Sequence, residues 1–238
     1  MSPVTDAARR LVARIRRAVA ERRARRLVLE GWDGLTLLVL PDVQNPLVFR
    51  TGTLLAAAVA RRLRTRGAGP HGTMRVLDAG CGTGIVSLAA AREGAVAVAI
   101  DLSPQAVRNA CINALLNRLE ERIDVRGGDL FAPAGSVVFD LVAFNPPLLR
   151  GKPKDLYDLA FRSEDVLERF CAALPAALAP GGEALVVLSG GADEAERRRL
   201  LAGSAFELTD LSRHELGEET ATIVLARRAP PPSGKPAG

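Results

Sequence analysis

Residues Val76 to Gly84 read VLDAGCGTG, and this stretch decides the fold. An apolar strand runs into a turn with glycine at alternate positions, and the Ile85 to Arg92 stretch that follows is apolar enough for a buried helix. Working outward, strands are expected near 74 to 79, 95 to 101, 122 to 126, 139 to 144, 183 to 189, 205 to 211 and 219 to 227. Helices are expected between the first five and after the fifth. That alternation implies parallel strands joined by right-handed crossovers. The last two strands are linked by a short turn, so they should pair antiparallel. Upstream, residues 27 to 30 and 35 to 40 flank the turn-like GWDG and predict a hairpin. A helix follows from Thr51 to about Arg66, and Gly67 to Gly72 read as a linker.

Residues 5 to 26 place Ala8, Leu11, Val12, Ile15 and Val19 at helical spacing among arginines, which predicts a basic amphipathic helix. The expected organisation is an N-terminal helix, hairpin and lid segment over 1–72, a catalytic domain over 73–228 and a disordered tail over 229–238. The chain has 238 residues, 48% apolar and 25% charged, which fits one globular domain with a short extension. Its formal charge is +5, but residues 1 to 30 carry nine arginines against Asp6, Glu21 and Glu30. That segment sums to +6 and the remainder to −1, so the basicity belongs to one segment. Cys81, Cys111 and Cys171 form no CxxC pair, which indicates neither a disulfide framework nor a metal site. A reducing, cytoplasmic setting is expected, with no membrane span and a monomer or homodimer.

The glycine spacing is GxGxG, whereas a dinucleotide fingerprint needs GxGxxG and a Walker A loop needs GK[ST]. The turn therefore offers a helix N-terminus to a small anionic group, with Asp78 at the strand end to accept from an ammonium or hydroxyl. Asp101 ends the second strand, where a carboxylate suits a ribose diol. Gly128-Asp129-Leu130 closes the third strand, and an Asp there suits an exocyclic amine. Three acidic strand ends around one glycine turn suit an adenosine bearing an amino acid.

VLDAGCGTG, the Asp101 strand end with Leu102, and GGDLF resemble the successive cofactor motifs of class I S-adenosylmethionine-dependent methyltransferases. The resemblance covers residues 74 to about 227. It implies a Rossmann-like, doubly wound seven-stranded α/β sheet of order 3-2-1-4-5-7-6, with the last strand antiparallel. It also implies S-adenosyl-L-methionine as cofactor. Asp78, Gly80, Cys81, Gly82 and Gly84 would then surround the methionine part, Asp101 and Leu102 the ribose, and Gly128, Asp129 and Leu130 the adenine. Arg50, Thr51 and Thr53 fall where related enzymes close a segment over the cofactor, and Thr53 is the residue taken as a contact.

The fourth strand ends in Asn145-Pro146-Pro147-Leu148, where open α/β sheets place ligands. The Asn145 oxygen and the Pro146 carbonyl can each accept from an N–H and so hold a nitrogen beside the cofactor, and Asn145 is also taken as a cofactor contact. The prolines fix φ and pre-organise both acceptors. This element resembles the amino-methyltransferases that modify glutamine in release factors and bases in nucleic acids. There the fourth position is an aromatic that stacks on the planar acceptor; here it is Leu148, which points to a small amine or amide, amino-acid-like acceptor. Tyr157, the only tyrosine, is assigned either to loop packing or to a cation–π contact with the sulfonium. Methyl transfer to nitrogen is the expected reaction. Self-cyclisation of the cofactor to azetidine-2-carboxylate and methylthioadenosine, as in natural-product biosynthesis, is the alternative, and nucleic-acid N-methylation comes third.

Overall fold

The computed structural model describes residues 26–67, 72–189, 193–203, 205–217 and 219–229. The helix expected over 5–26 lies outside them except for Arg26, as do residues 68–71 of the expected linker and 230–238 of the expected tail. Strands β1 (Val28–Trp32) and β2 (Leu35–Val39) form the expected hairpin, with Trp32 opposite Leu35. Its two turn residues, Asp33 and Gly34, both have positive φ (48° and 78°), the conformation that matches a tight turn to the twist of the strands. Two helices follow, α1 (Pro46–Phe49) and α2 (Thr51–Arg66). The remaining elements are β3 (Arg75–Ala79), α3 (Ile85–Arg92), β4 (Val96–Asp101), α4 (Pro104–Leu116), β5 (Ile123–Gly127) and β6 (Phe139–Phe144). Then come β7 (Leu149–Arg150), β8 (Arg162–Ser163), α5 (Val166–Ala177), β9 (Leu178–Ser189), α6 (Glu194–Gly203), β10 (Phe206–Leu216) and β11 (Glu219–Arg228).

The central sheet runs β10-β11-β9-β6-β3-β4-β5, which in sheet-strand numbering is the expected 3-2-1-4-5-7-6. Strands β3, β4, β5, β6 and β9 are parallel, while β11 runs antiparallel to both β9 and β10. Alternate residues of a buried strand point to opposite faces, and β3 divides accordingly. Val76 packs with Leu55, Val59 and Leu88 on one face, and Leu77 with Phe170 and Leu174 on the other. One expectation fails: no α-helix joins β5 to β6, only a 3-10 turn at Ala132–Ala134. Pro133 and Gly135 lie within that short link and leave no room for a crossover helix.

The hairpin is packed onto the core. Leu35 and Leu37 are buried in the core shared with α2 and α3, and the outer edge of β2 is closed by side chains of α4. Asn109, Asn113 and Asn117 accept from the backbone N–H of Leu40, Leu38 and Thr36 at 2.8, 2.8 and 2.9 Å. Their amide groups donate back, Asn109 and Asn113 to the Leu38 carbonyl and Asn117 to that of Thr36. Four helical residues rise ~6 Å and two strand residues ~6.8 Å, so the two repeats stay in step over three contacts. Asn113 also donates to the Thr83 carbonyl in the glycine turn at 2.9 Å. Asn113→Leu keeps the volume but strands Leu38 N–H and the Thr83 carbonyl. It is expected to cost about 2–4 kcal/mol in urea unfolding, and a loss under about 0.5 kcal/mol would show the ladder to be dispensable.

Candidate active site

The C-terminal ends of β3, β4, β5 and β6 open onto a cleft of about 350 Å³, a size suited to a nucleoside-sized ligand. A cleft of about 400 Å³ at the opposite end of the sheet, beside Arg75, Glu120 and Asp124, contains none of the expected site residues. Gly80, Gly82 and Gly84 all have positive φ (66°, 55° and 78°), so the turn after β3 is closed to other residues without strain. Gly80, Cys81 and Gly82 line the cleft. Gly84 is not among the lining residues, and its reason is packing: a Cβ there would meet the Cβ of Ala110 in α4 at 3.1 Å. Gly84 is thus set by the close approach of α4.

The acids divide into two environments. Asp78 is 3% exposed and its Oδ2 accepts from the backbone N–H of Ser87 at 3.0 Å and its hydroxyl at 2.8 Å. Burial pushes its pKa up to about 6, with the Ser87 hydrogen bonds opposing. Asp101 Oδ2 accepts from Gly82 N–H and Oδ1 from Ser103 N–H, both at 2.8 Å. Burial raises its pKa too, against those amides. The two amides lock the plane of the carboxylate and leave a lone pair on each oxygen for a diol. Burial, with the charges of Asp101 and Asp78, keeps the Cys81 thiol protonated, in line with a packing role. Leu102 and Leu130 reach the cleft, Leu102 as an exposed apolar side chain. Asp129 lines the cleft as well but forms an ion pair with Arg169, which also holds Asp165 at 3.0 Å. Arg169 sits 40 residues from Asp129, and nothing in the sequence signals that pairing.

Asn145 lies at the end of β6 and on the cleft wall, and its Nδ2 donates to the Thr51 hydroxyl at 3.1 Å. Pro147 shares that wall, whereas Pro146 between them is buried. Two further expected site residues lie off the cleft wall. The Thr53 hydroxyl donates to the Arg50 carbonyl at 2.7 Å and does not line the cleft; Arg50 in a left-handed turn (φ 65°) sets the start of α2 so that Thr51, not Thr53, meets Asn145. Tyr157 is also absent from the wall. Its ring packs edge-on against Phe161 at 5.0 Å, and Phe161 packs edge-on against Phe49 at 5.0 Å, which ties the loop after the motif to α1. That loop instead contributes Pro153, Leu156, Leu159 and Arg162 to the wall, and the segment after the hairpin contributes Asp42 and Gln44. Leu148 is turned off the wall, its carbonyl taken by the buried Arg197.

The family described as the methyltransferase small domain matches residues 54–204. The ribosomal RNA small subunit methyltransferase C of Alcanivorax borkumensis is 34% identical over 159 residues, 65% of this chain and 44% of that protein. The release factor glutamine methyltransferase of Rhodospirillum rubrum is 33% identical over 177 residues, 66% of this chain and 52% of that protein. The chain thus spans about half the length of these relatives. A T. Thermophilus 16S rRNA N2 G1207 methyltransferase, solved with AdoMet and guanosine, superposes with a TM-score of 0.65 at 24% identity, over 86% of this chain and 50% of that one. The relatives are named for ribosomal RNA and for proteins. This overturns the expectation of a small-molecule acceptor. Among the described residues no helix is long and apolar enough to cross a membrane.

Proposed function

We propose that this chain, which belongs to the methyltransferase small domain family, moves a methyl group from S-adenosylmethionine to the side-chain amide nitrogen of a protein glutamine. The observation that carries this reading is Asn145, set at a strand end on the cleft that the glycine turn and Asp101 also line, with its amide nitrogen already engaged by Thr51. The residues fit the cofactor. Positive-φ glycines allow close approach, Asp101 presents two fixed oxygens to a ribose, and Asp78 offers a buried carboxylate to an ammonium.

S-adenosylmethionine, when bound, supplies an electrophilic methyl carbon on a sulfonium. The amide nitrogen forms the new N–C bond, the C–S bond breaks with its electron pair left on sulfur, and the displaced N–H proton leaves to water. For its part the chain holds and orients. Asn145 Oδ1 accepts from one N–H of the acceptor amide, which turns the nitrogen toward the methyl. The choice of a protein amide rests on charge. The wall carries six acids, Asp42, Asp78, Asp101, Asp129, Glu164 and Asp165, against Arg162 and Arg169. That excess draws in a cationic cofactor and repels a phosphate backbone. A second reading, methylation of a ribosomal RNA base, is favoured by the nine arginines in residues 1 to 30, which suit phosphates.

The test is a panel of release factor, ribosomal protein uL3 and 16S rRNA with methyl-labelled cofactor and product digestion. Methylglutamine equimolar with S-adenosylhomocysteine is expected. Label in a nucleoside supports the second reading, and methylthioadenosine without acceptor contradicts both.

Cofactor binding should also depend on pH. An ammonium pairs with ionised Asp78, whose pKa is about 6 in the free protein. Below that value proton uptake competes, so cofactor affinity should fall by up to about tenfold per pH unit, while above it affinity should be flat. The sign for folding is opposite. A carboxyl with a raised folded pKa is stabilising when protonated, so this group's contribution to stability falls as pH rises from about 4 to about 6. Calorimetric titrations at pH 5 and 7.5 check the first statement, and Asp78→Asn should remove the dependence.

A further inference from the structure

We infer that Thr51 is the positioning residue for Asn145, fixing which end of its amide faces the acceptor; this rests on the reading of Asn145 as the group that holds the acceptor nitrogen. An asparagine amide turned over keeps its shape but exchanges an acceptor for two donors. Only Oδ1 attracts the N–H of an incoming amide. Because Nδ2 donates to Thr51 Oγ1 at 3.1 Å, the oxygen is the end left for the acceptor.

The Thr51 hydroxyl is itself held by rigid elements. Thr51 is 8% exposed, opens α2 and is β-branched, so its side chain has few rotamers. Immediately before it, Arg50 takes φ 65°, donates its N–H to the Pro46 carbonyl at 2.9 Å and accepts at its own carbonyl from Leu54 N–H and the Thr53 hydroxyl. Near the far end of α2, Arg62 makes two 2.7 Å hydrogen bonds to Glu183 in β9. On the other side, Pro146 and Pro147 restrict the backbone that follows Asn145. The hydroxyl and the amide therefore meet from residues 94 apart in sequence, and the bond from Arg66 of α2 to the Asp140 carbonyl ties that helix to the strand that leads to Asn145.

Thr51→Val removes the hydroxyl and keeps the shape. With whichever panel acceptor the wild type methylates, kcat should fall about tenfold to a hundredfold. KM for the acceptor and calorimetric affinity for S-adenosylmethionine should stay within about twofold. Thr51→Ser should restore most of kcat, and Thr51→Val added to Asn145→Ala should slow that variant no further. A kcat for Thr51→Val within about twofold of wild type overturns the inference, as does an undiminished effect in the Asn145→Ala background. A second measurement needs no acceptor. In ¹⁵N spectra the Asn145 side-chain amide, assigned by its loss in Asn145→Asp, should exchange with water slowly in the wild type and at least about tenfold faster in Thr51→Val. If no panel acceptor is methylated, the reading of the site falls while this exchange rate still decides Thr51, and equal rates in the two proteins overturn it.

Discussion

Glu183→Ala is expected to lower the unfolding free energy by about 2–3 kcal/mol, the usual result of removing a buried carboxylate that accepts charged hydrogen bonds. Glu183 lies in β9 at 4% exposure, bonded through both carboxylate oxygens to Arg62 (2.7 Å each), through Oε1 to Arg227 (2.6 Å) and within 3.4 Å of Arg66. Arg66 goes on to donate to the carbonyls of Asp140 and Gly181 at 3.0 and 2.9 Å. One carboxylate thus fastens α2 to both β9 and β11. Without it, Arg62, Arg66 and the half-exposed Arg227 lose their shared counter-ion. The same cluster makes a pH statement. Burial pushes the Glu183 carboxyl up, but the bonds from Arg62 and Arg227 and the charge of Arg66 outweigh it, and its pKa lies below the ordinary value. A depressed carboxyl stabilises above its unfolded pKa, and that stabilisation is lost as pH falls through the folded value. Wild-type stability should therefore drop below about pH 4 more steeply than that of Glu183→Ala, in urea titrations at pH 3 and 7.

Asn145→Ala is expected to reduce kcat about 10²–10³-fold, the range found when one fixed donor or acceptor is removed from a reaction centre. S-adenosylmethionine affinity should change less than about threefold, because the cofactor's ribose and ammonium are assigned to Asp101 and Asp78. The variant should lose no more than about 1 kcal/mol of stability, since only the hydrogen bond to Thr51 is removed and Asn145 is half-buried. Equal losses of binding and turnover would move Asn145 from the reaction to the cofactor pocket. Unchanged turnover would remove it from the site.

The sheet was legible because its signals are local. The run Val76 to Ala79 followed by three alternating glycines fixes a strand, a turn and a helix at once, and the carboxylates at the next two strand ends follow from the same repeat. What sequence reasoning missed depends on phase and on distant partners. Thr51 and Thr53 differ by two positions on a helix, and only the left-handed turn at Arg50 decides which faces Asn145. Tyr157 was open to loop packing or a cation–π contact, and the partner that decides for packing, Phe161 seated on Phe49, ties it to a residue more than a hundred positions upstream. Asn109, Asn113 and Asn117 resemble a solvated helix face in one dimension. In the fold they occupy the edge of β2, a pairing that four-residue helical spacing alone does not reveal. The charge reading shifts too: the arginines of residues 1 to 30 dominate the composition, while the cleft wall is acidic.

The most direct measurement is a crystal structure of the protein with S-adenosylhomocysteine, the product left after methyl transfer. The account predicts the nucleoside in the cleft at the C-terminal ends of β3 to β6, with its ribose hydroxyls on Asp101, its ammonium toward Asp78 and its sulfur between the glycine turn and Asn145. A nucleoside bound instead at the opposite end of the sheet, beside Arg75 and Glu120, or one whose sulfur faces away from Asn145, would contradict it.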